Sequence, residues 1–178
     1  MIQPKEEPSP SQAPITIVEL VLESHRLVGE IHHPGMPRRL LDVLDSTDGG
    51  TLAIRNVAIK AHNHADDQER HFDLIHVKRH AILFAVPRVE PVTQASPVEV
   101  VAKVFVPVLI MLPSFEITGN VHLLPDVDPA QASMLASNRF IALTEATVAT
   151  SHLHTHIGEA PVVLVNMGRA QLCAPGPR

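Results

Sequence analysis

Short motifs in this chain recur in unchanged order about 90 residues further along, and that regularity constrains the fold more than any other feature. The stretch Phe115-Glu116-Ile117-Thr118-Gly119-Asn120-Val121-His122 aligns with the stretch that ends at His32, matching Gly119 to Gly29 and His122 to His32. Phe140 to Val148 aligns with Thr51 to Ile59, and Val162 to Pro175 aligns with Leu74 to Pro87. Between the first and second of these blocks, Pro37 opens a short helix through RRLLDVLD, and Asp128-Pro129 opens another through AQASMLAS. The spacing predicts an internal duplication rather than one medium-sized domain.

The blocks themselves read as strands. Ile15 to Leu22 is dense in β-branched residues, and Arg26 to His32 continues as a second strand with Gly29 at a bend or bulge. Thr51 to Ala61 alternates apolar and polar residues with a register change near Asn56, the mark of a bulge. The expected organisation is a Pro-rich disordered tail over 1–14, a first β unit over 15–90, a linker over 91–97 and a second β unit over 98–175. The expected class is all-β with one short helix per repeat, built as two tandem small barrels. A unit of about 75 residues has little core of its own. It also exposes sheet edges. Tandem packing and oligomerisation answer both problems.

Composition narrows the function classes. One Cys excludes a disulfide framework and a thiolate-rich zinc cluster. A net charge of -5 argues against coating nucleic acid by bulk charge, although it leaves room for a local basic patch. The start, MIQPKEEPSPSQAP, has no apolar core of a secretory signal, and the longest apolar stretch, Val98 to Pro113, is broken by Glu99, Lys103 and two prolines. No membrane association and a cytoplasmic location are the expectation. There is no GxxxxGK[ST] and no GxGxxG.

Two stretches carry a resemblance. Val18 to Ile31 runs strand, turn, apolar residues, Gly29, then an apolar strand, and Lys78-Arg79-His80-Ala81-Ile82-Leu83-Phe84-Ala85-Val86-Pro87 runs basic residue, His, Ala, Ile, β run, Pro. Together they resemble the Sm-like barrel, the SH3-like fold of Sm proteins and of the Hfq-type RNA chaperones. The repeated unit also resembles a small uncharacterised bacterial β domain. The Sm-like resemblance implies single-stranded RNA binding at Lys78, Arg79 and His80, where Arg holds phosphate and His bonds or stacks on a base. It also implies a ring in which three chains supply six units as a pseudo-hexamer. The second unit has Met167-Gly168 where the first has Arg79-His80, so such a pocket would exist in one unit only.

Against base stacking stands the aromatic content: no Trp, no Tyr and five Phe, most of them in core-like apolar runs. The 12 histidines suggest other chemistry. His152, His154 and His156 share one face of a strand, and with Glu159 they form a candidate site for a divalent metal. With an unperturbed pKa near 6.5, histidine titration also carries the net charge from negative to positive between about pH 7.5 and 5.5. Catalytic groupings are weaker. Cys173 reads as a small buried thiol in the last strand. Ser24-His25 and Ser151-His152 are neighbours on presumed strands, whose side chains would point to opposite faces. The expected function is a non-enzymatic binding or assembly module that forms a homo-oligomer. The alternatives are an RNA-binding Sm-like protein and a His-based metal protein.

Overall fold

A computed structural model describes residues 14–36, 38–46, 50–62, 68–90, 103–125, 139–150 and 156–175. In chain order these form β1 (Ile15–Leu22), β2 (His25–His32), α1 (Leu40–Asp45), β3 (Thr51–Ala61), β4 (Arg70–Lys78), β5 (Ile82–Val89), β6 (Val104–Leu112), β7 (Phe115–Leu123), β8 (Phe140–Thr150), β9 (His156–Asn166) and β10 (Leu172–Pro175). Single 3-10 turns at Arg79–Ala81 and Met167–Arg169 precede β5 and β10. The expected tail (except Pro14), the linker 91–97 and the second helix lie outside the described residues, so one short helix is seen. No helix among the described residues is long and apolar enough to cross a membrane.

All ten strands join one sheet in the order β10-β6-β7-β8-β9-β5-β1-β2-β3-β4, with every pairing antiparallel. Among the described residues the sheet is not closed into a barrel: β4 and β10 each have a strand on one side only. The sequence reading expected two separate barrels, but the last strand of the first half, β5, is hydrogen-bonded to β9 of the second. The physical reason lies in the composition of these strands. Ile82 to Val86 and Val163 to Asn166 are buried without alternation, as in strands covered on both faces.

The two halves share strand order and local detail. Each order is fifth, first, second, third, fourth strand: β5-β1-β2-β3-β4 and β10-β6-β7-β8-β9. Each has a register shift at its glycine, between Val28 and Glu30 and between Thr118 and Asn120. Opposite each glycine the partner strand puts a non-glycine residue in the left-handed region, Asn56 at φ 48° and Glu145 at φ 50°. The same hydrogen bond spans each bulge with its ends exchanged: Asn56 Nδ2 donates to Glu30 Oε2 at 3.0 Å, and Asn120 Nδ2 donates to Glu145 Oε2 at 2.9 Å.

The two cores interlock across the halves. The first gathers Val18, Leu20, Leu40, Leu44, Ile54 and Ile82, but takes Phe140 and Leu164 from β8 and β9. The second gathers Ile110, Ile117, Leu143 and Val163, but takes Val21 from β1 and Leu83, Phe84 and Val86 from β5. α1 is too short to be stable alone and holds by docking. Its buried face is Leu40, Val43 and Leu44. Its first residue donates from Leu40 N to Glu90 Oε1 at 2.9 Å, and its last accepts at Asp45 Oδ1 from Phe140 N at 2.8 Å.

His33 follows β2 and is buried, with Nε2 2.8 Å from the Thr16 hydroxyl. Burial lowers its pKa, Arg38 and His32 lower it further, and Glu90 opposes them. A folded pKa below the ordinary value near 6.5 means the unfolded chain takes up this proton first. Its contribution is therefore complete above about pH 6.5 and is lost as the pH falls below that. Thermal denaturation at pH 7.5 and 5.5 is expected to show a lower midpoint in acid, and His33→Gln is expected to shrink the difference. Glu30, whose pKa is lowered by hydrogen bonds from His32 and Asn56, acts only near and below the ordinary carboxylate range.

Candidate functional site

The junction between the halves is short. β5 and β9 pair through Phe84 with Val165 and Ala85 with Leu164. The ladder stops at these two pairs, before Pro87 on β5 and Pro161 on β9 are reached. Past its end lies a cavity of about 320 Å³, with walls from both halves. Two rings of its wall meet edge to face: Phe84 and Phe115 have centroids 5.2 Å apart at 80°. His62 meets the same Phe115 ring at 5.5 Å and 70°.

A row of charges borders these rings. Glu19 on β1 lies opposite Val28 and Val86, so Arg26 on β2 and Arg88 on β5 are its diagonal neighbours. Both arginines close on it: Arg26 Nε lies 2.5 Å from Glu19 Oε1, and Arg88 donates from Nε to Glu19 Oε2 at 2.9 Å and also from Nη2. The Glu19 side chain is 9% exposed, whereas those of Arg26 and Arg88 are 47% and 51% exposed. Lys60 on β3 sits directly opposite Arg26. Glu159 on β9 completes the row on the far wall. Three cations thus face two carboxylates, one of them enclosed between guanidiniums. In sequence, the signal for this site is Glu19 itself, a charge between Ile17 and Val21 in an otherwise apolar strand.

The expected RNA residues occupy the end of β4 and the turn after it. Lys78 and His80 are exposed, but Arg79 is buried at 6% exposure. Its backbone N donates to Gly50 O at 3.0 Å, and its carbonyl accepts from Asn166 Nδ2 at 3.4 Å. The same Asn166 amide donates to Ile82 O at 2.7 Å, while its Oδ1 accepts from Gly168 N at 3.0 Å, so one buried side chain ties the two 3-10 turns together. Three phenylalanines are core (Phe84, Phe115, Phe140), while Phe72 and Phe105 are exposed.

Of the expected metal residues, His152 and His154 lie outside the described residues. His156 opens β9, and Glu159 is exposed two pairs further along the ladder with β8, opposite Thr147. Among the described residues no group of three or more His, Cys, Asp or Glu is placed to hold a metal ion. Ser24 and His25 depart from expectation. Ser24 lies in the bend before β2, not on a strand, and its hydroxyl is 2.7 Å from His25 Nδ1. The other ring nitrogen faces Arg70 Nη2 at 3.5 Å, where a nucleophile's base would need an orienting acceptor. Cys173 is half-buried on β10, and burial raises its pKa, which keeps it a thiol.

The two ends of the sheet are the other exposed feature. β4 is nine residues long without Pro or Gly, and carries the exposed apolar residues Phe72 and Leu74 on its strand. β10 exposes Leu172. Such an edge is a template for pairing with another chain.

No protein-family model matches the chain, and neither does any curated protein or solved structure.

Proposed function

We propose that this protein is a non-enzymatic assembly module, a duplicated Sm-like unit that joins to copies of itself edge to edge. One observation carries the reading: β4 and β10, the two ends of the sheet among the described residues, stand in their halves where β9 and β5 stand in the junction. The chain therefore contains one finished copy of a contact and the two separated sides of a second. A head-to-tail contact of this kind closes into a ring when the rotation allows, and three chains closing it give the pseudo-hexamer of six units.

The junction also sets the register. Phe84 and Ala85 correspond to Leu172 and Cys173, because Val18 opposite Gly29 corresponds to Val108 opposite Gly119. Val165 and Leu164 correspond to Val77 and His76 by their places opposite β8 and β3. Between chains, Leu172 then lies opposite Val77 and Cys173 opposite His76. Directly opposed strand residues are within disulfide reach, about 4.5–5.5 Å between Cα atoms. Under a mild oxidant, His76→Cys is expected to give covalent multimers that vanish when Cys173→Ser is added. Asp73→Cys, displaced along the same edge, is expected to cross-link far less. Equal cross-linking from both positions, or monomer from both, would overturn the reading.

A further inference from the structure

We infer that Phe72 of one copy seats in a recess at the β10 end of the next, and that Arg70 and Glu116 pair across that contact and select its partner. The inference rests on the assembly reading and names the residues that give the contact its affinity and its selectivity. The junction cavity is the template, because residues of its walls have counterparts at the two ends of the sheet. By the registers that match β9 to β4, Gly158, Glu159 and Ala160 correspond to Arg70, His71 and Phe72. By those that match β1, β2 and β5 to β6, β7 and β10, Val21, Arg26, Phe84 and Val86 correspond to Met111, Glu116, Leu172 and Ala174.

The differences in size compensate. Where the junction has Ala160 beside a cavity of about 320 Å³, the β4 end has the phenyl ring of Phe72. Where the junction has the larger Phe84 and Val86, the β10 end has Leu172 and Ala174. The recess is thus wider by the atoms those two residues lack, and the ring of Phe72 supplies the bulk. Exposure follows the same line: Phe84 is 3% exposed and Val86 7%, whereas Leu172 is 44% and Phe72 43% exposed. Apolar positions that the junction covers are uncovered at the ends. A buried aromatic anchor of this kind carries a large share of an interface's affinity.

The charges are reversed on both walls at once. In the junction β2 contributes Arg26 and β9 contributes Glu159. At the ends β7 carries Glu116 and β4 carries Arg70. Neither of these two has an ion pair among the described residues, whereas His71 already faces Glu69 at 3.2 Å. A contact between β10 and β4 brings Glu116 to Arg70. If two chains exchanged halves instead, Glu116 would meet Glu159, or Arg70 would meet Arg26. Like charges across an interface suppress such partners. The reversal therefore directs β10 to β4 and away from the strands that already form the junction.

Sedimentation velocity on a dilution series of the untagged full chain tests it. Phe72→Ala is expected to weaken association at least about tenfold, and circular dichroism checks that the variant is folded. Arg70→Glu and Glu116→Arg are each expected to weaken association about tenfold or more. The double substitution restores opposite charges and is expected to recover most of that loss. Recovery cannot come from a damaged fold, so it separates charge pairing from misfolding. A wild-type chain that stays monomeric would overturn the assembly reading and this inference with it. A wild-type oligomer whose association is unchanged in folded Phe72→Ala, or whose two charge substitutions are not offset in the double variant, would overturn this inference alone.

Discussion

Phe140→Ala is expected to destabilise the whole chain by about 3–5 kcal/mol and to leave a single unfolding transition. Phe140 is fully buried and is among the largest buried side chains. It belongs to β8 by sequence yet packs with Val18, Leu20, Leu40 and Leu44 of the first half. Its amide is also held by Asp45 at the end of α1. Truncation removes the ring and leaves a cavity that rigid strands cannot collapse around. Because each core takes residues from the opposite half, loss of this ring weakens both. Guanidinium denaturation followed by circular dichroism reads the midpoint. Two separate transitions, with only one moved by the substitution, would contradict the interlocked core.

Gly29→Ala is the second large effect, with an expected cost of about 1–3 kcal/mol or somewhat more. The cause is space. A Cβ at Gly29 would lie 2.7 Å from Ile54 Cγ2, 2.9 Å from Arg55 O and 3.0 Å from Val57 Cγ2. The carbonyl cannot swing aside, since it belongs to the bulge of β3. At Gly119 the equivalent atoms are looser, with Leu143 Cβ and Thr144 O both at 3.1 Å. Gly119→Ala is therefore expected to cost less than Gly29→Ala in the same denaturation assay. A larger cost at Gly119 would contradict the bulge geometry.

Local features were legible in sequence because short-range chemistry decides them. The alternation in Thr51 to Ala61 marks β3 end to end, and its break at Asn56 marks the bulge. Gly29, read as a bend or bulge, and Gly119, matched to it, both sit at register shifts. Pairing across the halves was not legible, because the runs ILFAV and VVLV look alike as buried strands and nothing in their composition names a partner. The burial of Arg79 also escaped. It depends on Asn166, 87 residues away, which binds the carbonyl of that turn. Ser24 reaches the ring of His25 because a residue in the bend before β2 does not follow strand alternation. Glu19 was visible as a charge in an apolar strand, but its two arginines, Arg26 and Arg88, come together only through the register of β2, β1 and β5.

Assembly through the β4 and β10 edges is the central claim. Native mass spectrometry of the untagged, full-length chain tests it most directly. A closed ring of three chains predicts a species of about 58 kDa, three times the 19.4 kDa chain mass. It also predicts that a proline at Ile75, in the middle of β4, breaks that species down. A 19.4 kDa monomer that persists across the micromolar range would contradict the claim.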